Sequence, residues 1–239
     1  MHPPASRPVV TELTPQSLAA MIDHTFLKPY GTPADLEKLC REAGEYGFAM
    51  VAINPAEVRF CKQLLAGGTV HVGAAIGFPL GQNTSATKAF ETADSLQQGA
   101  DEIDMVINLR ALQSGDEGLV RREIHDMVAA CRKAGAVSKV ILETCYLTDE
   151  QKRRVCEISV DEGADFVKTS TGLGTAGATV ADVALMRAVV GDRAGVKASG
   201  GVRTLEAALA MIEAGATRIG TSNGVAIVEE FRNRPGCRT

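Results

Sequence analysis

Three charged residues interrupt apolar runs of strand character in this sequence. Asp104 lies in Glu102-Ile103-Asp104-Met105-Val106-Ile107-Asn108, Lys168 in Phe166-Val167-Lys168-Thr169-Ser170-Thr171-Gly172, and Lys197 in Gly195-Val196-Lys197-Ala198-Ser199-Gly200-Gly201. Alternate residues of a strand share a face, so Ile103, Met105 and Ile107 fall on one side. Glu102, Asp104, Val106 and Asn108 fall on the other. The apolar side suits a helix layer, which turns the carboxylates toward an interior where charge is costly unless paired or functional. For Asp104 a structural ion pair and an acid–base role are both open. Two lysines on neighbouring strands repel one another, and partial desolvation acts in the same direction, toward the neutral amine. A neutral amine is the nucleophile of Schiff-base chemistry, and the alternative is a pair of cations that binds an anion. Of the 25 basic residues, these two are read as lying inside strands, whereas Lys38, Lys62 and Lys152 fall on solvated helix faces.

An anion site is suggested separately. Ser199-Gly200-Gly201-Val202-Arg203 precedes a helix, Gly220-Thr221-Ser222-Asn223-Gly224 follows the last strand, and Thr171-Gly172 makes a third turn. Glycines let backbone N–H groups approach phosphate oxygens, and helix N-termini favour negative charge. Other polar residues have plainer readings. His24 orders its strand by hydrogen bonding, and Glu102 and Glu143 balance charge. The six cysteines include no C-x-x-C pair, and the four histidines share no ligand spacing, so neither a disulfide scaffold nor a metal site is expected. Cys145 lacks an activating neighbour and reads as an incidental thiol.

Those residues need elements to position them. Strand patterns occur at 21–26, 49–54, 71–77, 102–108, 139–144, 165–171, 195–200 and 218–222, with helical stretches between them at 33–46, 83–98, 119–134, 148–162, 180–190 and 204–214. Thr32-Pro33 and Thr148-Asp149-Glu150-Gln151 read as helix starts. Helix stops are read at Gly44, Gly99, Gly163 and Gly215, the last three in a recurring Gly-Ala-(Asp/Thr) echo. Eight βα units require parallel strands, and eight is the number that closes a barrel. The expected fold is a single α/β domain, a (β/α)8 TIM barrel with a short extra helix within 14–21, and an open doubly wound sheet is the alternative. Its expected boundaries are a flexible tail at 1–13, the barrel at 14–230 and a C-terminal tail at 231–239. At 239 residues, 45% hydrophobic and 23% charged, the chain can bury one such core. A net charge of −4, 4% aromatics and no Trp argue against a nucleic-acid binder. No apolar run approaches the roughly 20 residues of a membrane span, and the N-terminus lacks a secretory signal, so a cytoplasmic protein is expected.

The chain resembles the deoxyribose-phosphate aldolases, class I aldolases on a (β/α)8 barrel. The resemblance rests on Ile22-Asp23-His24-Thr25, Asn54-Pro55, Gly77-Phe78-Pro79 and Asp101-Glu102-Ile103-Asp104-Met105-Val106. It continues through Lys168-Thr169-Ser170-Thr171-Gly172, Lys197-Ala198-Ser199-Gly200-Gly201 and Arg218-Ile219-Gly220-Thr221-Ser222, in family order from about residue 17 to 228. It implies that Lys168 forms the Schiff base, that Lys197 depresses its pKa and shares in proton transfer, and that Asp104 is the acid–base partner. It further implies that Gly172, Gly200, Gly201, Ser222 and Asn223 cradle the substrate's phosphate, that Thr171 and Ser199 also bind substrate, and that Asp23 and Thr25 line the site near its carbon chain. The chain departs from the family at Ala52, where many relatives carry cysteine, and at Leu173, where some carry lysine. Asn223 replaces a second serine, and the terminal tyrosine of some members is missing.

The implied reaction is reversible cleavage of 2-deoxy-D-ribose 5-phosphate to D-glyceraldehyde 3-phosphate and acetaldehyde, without metal or organic cofactor. Another Schiff-base aldolase, transaldolase-like or acting on keto acids, and a non-catalytic phosphosugar-binding barrel are the competing readings. Relatives are commonly dimers, so a homodimer is expected, although no heptad or large apolar patch announces an interface.

Overall fold

The computed structural model describes residues 8–234. Its eight strands are β1 (Ile22–Thr25), β2 (Met50–Ile53), β3 (His71–Ile76), β4 (Glu102–Val106), β5 (Val137–Ile141), β6 (Phe166–Lys168), β7 (Gly195–Ser199) and β8 (Arg218–Thr221). All neighbouring pairs are parallel, and β1 pairs with both β2 and β8, which closes the barrel and excludes the open sheet. The helices are α1 (Pro15–Ala19), α2 (Pro33–Tyr46), α3 (Val58–Leu64), α4 (Ser85–Gln97), α5 (Leu109–Gln113), α6 (Glu117–Ala134), α7 (Asp149–Asp161), α8 (Val180–Val190), α9 (Leu205–Glu213) and α10 (Gly224–Arg232). The short helix expected ahead of the barrel is α1, which packs against α10. No helix among the described residues is long and apolar enough to cross a membrane.

Threonine starts most of the larger helices for a local reason. The side chains of Thr32, Thr84, Thr148, Thr179 and Thr204 each accept a hydrogen bond from the amide three residues on, satisfying a donor that the helix leaves free. Thr148 and Gln151 complete the reciprocal capping box read from the sequence. The expected stop at Gly44 is not used: α2 runs on to Tyr46, and Gly47 supplies the left-handed cap. The Gly-Ala-Asp echo does more than turn the chain. Asp101 accepts from Val72 N at 2.9 Å and Asp165 from Ser138 N at 2.9 Å, so each aspartate pins the start of a neighbouring strand.

Strand alternation separates two interiors. Outward residues such as Val51, Ile53, Val72, Ile76, Ile103, Met105, Val140, Val167 and Val196 join the apolar core under the helices. The inward residues Glu102, Asp104, Lys139, Lys168 and Lys197 are buried inside the barrel. The expected tails fall largely on residues outside those described. Within them, Val10–Glu12 forms a 3-10 turn and α10 continues to Arg232, with Phe231 buried. Cys237 lies outside the described residues, Cys40, Cys61, Cys131 and Cys156 are buried free thiols, and Cys145 is half-buried.

Candidate active site

The register brings the three sequence-selected charges together. Lys168 pairs with Lys197 across β6 and β7, and Asp104 pairs with Lys139 across β4 and β5. Asp104 Oδ2 lies 2.7 Å from both Lys168 Nζ and Lys197 Nζ, and its Oδ1 lies 2.7 Å from Lys139 Nζ. The ion pairs continue toward the N-terminal mouth of the barrel. Lys139 pairs with Glu102, Lys197 meets Asp23 at 2.5 Å, Arg218 bridges Asp23 and Glu102, and Glu102 meets His71 at 2.8 Å.

This column corrects one expectation. Lys139 and Arg218 are also strand residues, so Lys168 and Lys197 are not the two basic residues inside strands. Drawing β5 from residue 139 put Lys139 at a strand edge. The strand begins at Val137, which moves Lys139 inside, where it is wholly buried.

Lys139, Lys168, Lys197 and Arg218 face three carboxylates, those of Asp23, Glu102 and Asp104. With these seven groups ionised they carry one surplus positive charge, which release of one lysine proton neutralises; His71, exposed at the mouth, adds to it only when protonated. Lys168 is the lysine placed to lose that proton. Burial is the largest influence on its pKa, Asp104 opposes it, and the charges of Lys197 and Lys139 reinforce it, leaving the amine at about 8 instead of 10.5. Burial also works against a charged Asp104, yet the three ammonium groups outweigh it and hold the carboxyl well below the usual range. Lys139 moves the other way: burial opposes its charge, but Asp104 and Glu102 raise its pKa.

A cavity of about 680 Å³ opens where the strands end, as expected for a parallel barrel. Lys168 and Asp104 line it, together with Thr25, Thr171 and Gly172. Ser199, Gly200, Gly201 and Ser222 also line it. Lys197 and Asp23 do not; both are buried beneath it, where Asp23 holds Lys197 and Arg218 instead of facing the cavity. Phe78, from the Gly77-Phe78-Pro79 motif, sets its ring 5.2 Å from Lys168 Nζ.

The glycine turns are shaped by close approach. A Cβ on Gly177 would lie 2.1 Å from the Gly200 carbonyl oxygen, and one on Gly220 would lie 2.3 Å from Ser199 Oγ. Loops after β6 and β7 therefore meet backbone to backbone, and Ala178 N donates to the carbonyls of Ser199 and Gly200. Asn223 does not line the cavity; it stands at the N-cap of α10 without capping it through its side chain. Its Oδ1 accepts instead from Ser222 Oγ at 3.2 Å, so the Asn223 side chain does not occupy the first amides of α10.

His24 Nε2 lies 2.9 Å from Glu42, a pairing that orders β1. Glu102 balances charge as read from the sequence. Glu143 makes no ion pair among the described residues; its carboxylate is bonded to Thr171, and Lys168 acts on it only through longer-range charge. Sequence reasoning missed Lys139, Arg218 and Gly177. The first two carried the same signal as Lys168, a basic residue at a strand position, and Gly177 carried none without the loop opposite.

Comparison with known proteins fits this geometry. The profile of the DeoC/LacD family aldolases matches residues 17–230. A deoxyribose-phosphate aldolase of Bacteroides thetaiotaomicron is 64% identical over 224 residues, covering 94% of each chain. One of Thermococcus gammatolerans is 56% identical, covering 90% of this chain and 97% of its own. A solved deoxyribose phosphate aldolase of Aeropyrum pernix, described as a tetramer, superposes with a TM-score of 0.87 at 36% identity, over 96% of this chain and 99% of its own.

Proposed function

The chain belongs to the DeoC/LacD family of aldolases, and from that premise we propose that it reversibly cleaves 2-deoxy-D-ribose 5-phosphate to D-glyceraldehyde 3-phosphate and acetaldehyde through a Schiff base on Lys168. The observation that carries the reading is a buried, cavity-lining lysine 2.7 Å from an aspartate that two further ammonium groups keep ionised, surroundings that lower the pKa of the amine. Burial and the neighbouring ammonium groups raise the neutral fraction of this amine above that of an ordinary lysine.

The neutral Lys168 amine adds to the aldehyde carbon of the open-chain sugar. Its oxygen leaves as water, with a proton supplied through Asp104 and Lys197, and the resulting iminium is an electron sink. Asp104, acting through a water, removes the proton of the hydroxyl on the third carbon. The electron pair of the bond between the second and third carbons then moves toward the iminium. Glyceraldehyde 3-phosphate departs, leaving an enamine. Protonation of the enamine at its terminal carbon and attack by water release acetaldehyde and restore the amine. The phosphate is held by the amides around Gly172, Gly200, Gly201 and the α10 N-terminus, remote from the bond that breaks, so its binding energy serves to position the reacting carbons.

Borohydride reduction in the presence of acetaldehyde, followed by peptide mass spectrometry, tests this reading. The expected product is an ethyl adduct on Lys168, lost in Lys168→Ala; an adduct elsewhere, or none, defeats it. Donor profiling against dihydroxyacetone phosphate separates it from a ketone-using aldolase. For assembly, the expected homodimer stands beside a relative described as a tetramer, and light scattering of the purified chain decides between two copies and four.

A further inference from the structure

Glu143 is a buried carboxylate that the proposed chemistry does not use. It is the one non-glycine residue with positive φ among those described, at φ 54° and ψ 63°, a conformation that side chains other than Asn and Asp seldom adopt and that clusters at functional sites. Its neighbours explain how it is held. Leu142 N donates to the Lys168 carbonyl at 2.9 Å and Thr144 N to the Thr169 carbonyl at 3.0 Å. The chain on either side of Glu143 is thus fastened to β6 and its continuation, and Glu143 turns between the two anchors toward the loop after Lys168.

Its carboxylate organises that loop. Oε2 accepts from Thr171 Oγ1 at 2.5 Å, and both oxygens lie 3.3 Å from Thr171 N. Thr171 Oγ1 accepts in turn from Leu173 N at 3.0 Å. A Cβ on Gly174 would come within 3.2 Å of the Glu143 carboxyl carbon, so the loop drapes directly over the carboxylate. The Thr171 hydroxyl is consequently committed on both sides, donating to Glu143 and accepting from Leu173. No hydrogen bond among the described residues uses the amide of Gly172, which lines the cavity.

We propose that Glu143 is the positioning residue for the anionic end of the substrate: through Thr171 it fixes the turn at 171–174 so that the Gly172 amide is presented to the phosphate. Glu143 itself does not line the cavity, so it acts by shaping the turn and not by touching the ligand. Burial raises the pKa of its carboxyl, although the hydrogen bonds from Thr171 oppose the rise. The inference rests on the phosphosugar reading above and adds which group sets its phosphate selectivity.

The experiment compares 2-deoxyribose 5-phosphate with unphosphorylated 2-deoxyribose in wild type, Glu143→Ala and Thr171→Val. Thr171→Val keeps the branched shape and removes only the hydroxyl, so it reports even if Glu143→Ala fails to fold. Each variant is expected to raise KM for the phosphosugar about ten-fold or more, the scale of a hydrogen bond to a charged group. For Glu143→Ala, whose side chain lies outside the cavity lining, kcat stays within about three-fold, and in each variant kcat/KM falls more for the phosphosugar than for the unphosphorylated sugar. The double variant is expected to be no worse than the more damaging single one, because both break the same contact. Equal losses on the two sugars, an unchanged KM in Thr171→Val, or additive effects overturn the proposal. Acetaldehyde trapping on Lys168 uses no phosphate. If wild type fails that assay the reaction itself is misread, whereas normal trapping with no phosphate-specific KM change overturns only the role of Glu143.

Discussion

Lys168 combines two requirements that usually conflict, since a nucleophilic amine must be neutral and yet must be positioned by polar neighbours. Its position in the buried column reconciles them. Asp104 supplies a hydrogen-bonding partner at 2.7 Å, while burial and the charges of Lys197 and Lys139 hold the pKa near 8. Imine formation with acetaldehyde should therefore rise with pH through about 8 and level off above it. Because the Lys197 charge lowers the Lys168 pKa, Lys197→Met should move that midpoint to more alkaline pH. The rate of borohydride-trappable adduct formation against pH measures it, and a midpoint that stays put or moves toward acid would sink the electrostatic account. The same reasoning explains why Lys139 is suited to be a fixed cation and not a second nucleophile. Three carboxylates, those of Asp104, Glu102 and Asp23, raise its pKa, and it does not line the cavity.

At the scale of elements, phosphate binding depends on how closely the loops after β6 and β7 meet. Gly200 has φ 84°, and a Cβ there would lie 2.9 Å from Gly177 Cα and 3.2 Å from Gly172 Cα, backbone atoms that cannot swing aside. Gly201 has φ 80° but open space around it. Substitution to alanine at either position carries the cost of positive φ, about 1 kcal/mol; only Gly200→Ala adds the collision. Gly200→Ala should thus lose about 1–3 kcal/mol more than Gly201→Ala in denaturant unfolding. It should also weaken affinity for the phosphosugar more than Gly201→Ala does. Equal effects of the two substitutions would show that close approach does not shape the site.

For the whole molecule, the ionic column fills the barrel interior that apolar side chains would otherwise occupy. Removing one member strands the others. Lys139→Met leaves Glu102 and Asp104 short of a partner inside the barrel and should cost about 3–5 kcal/mol, read as a lower midpoint in thermal or denaturant unfolding. The acid limb of stability follows from the same groups. Glu102 and Asp104 are held below the ordinary carboxylate range in the folded chain despite burial, chiefly by Lys139 acting with Arg218 on the one and with Lys168 and Lys197 on the other. Their contribution is therefore complete above the unfolded pKa of about 4 and is withdrawn as pH falls below it. In Lys139→Met the depression shrinks, so acid unfolding should begin at higher pH; an acid transition unchanged from wild type would contradict the assignment.

The number of strands, their parallel direction and the inward side of β4 were all legible in the sequence. They depend on local alternation, capping residues and turn glycines, which act within a few residues. Lys168, Lys197 and Asp104 could be selected for the same reason, since a charge in an apolar strand is conspicuous wherever the strand goes. The inclusion of Lys139 and Arg218, the burial of Asp23 beneath the cavity and the bond between Glu143 and Thr171 were decided only by the tertiary structure. Each depends on register between strands or on contact between loops far apart in the chain. A shift of two residues in where β5 begins turned Lys139 from an edge residue into the centre of the network. The sequence determined which residues could do the chemistry, and the closed barrel decided which of their charges face one another.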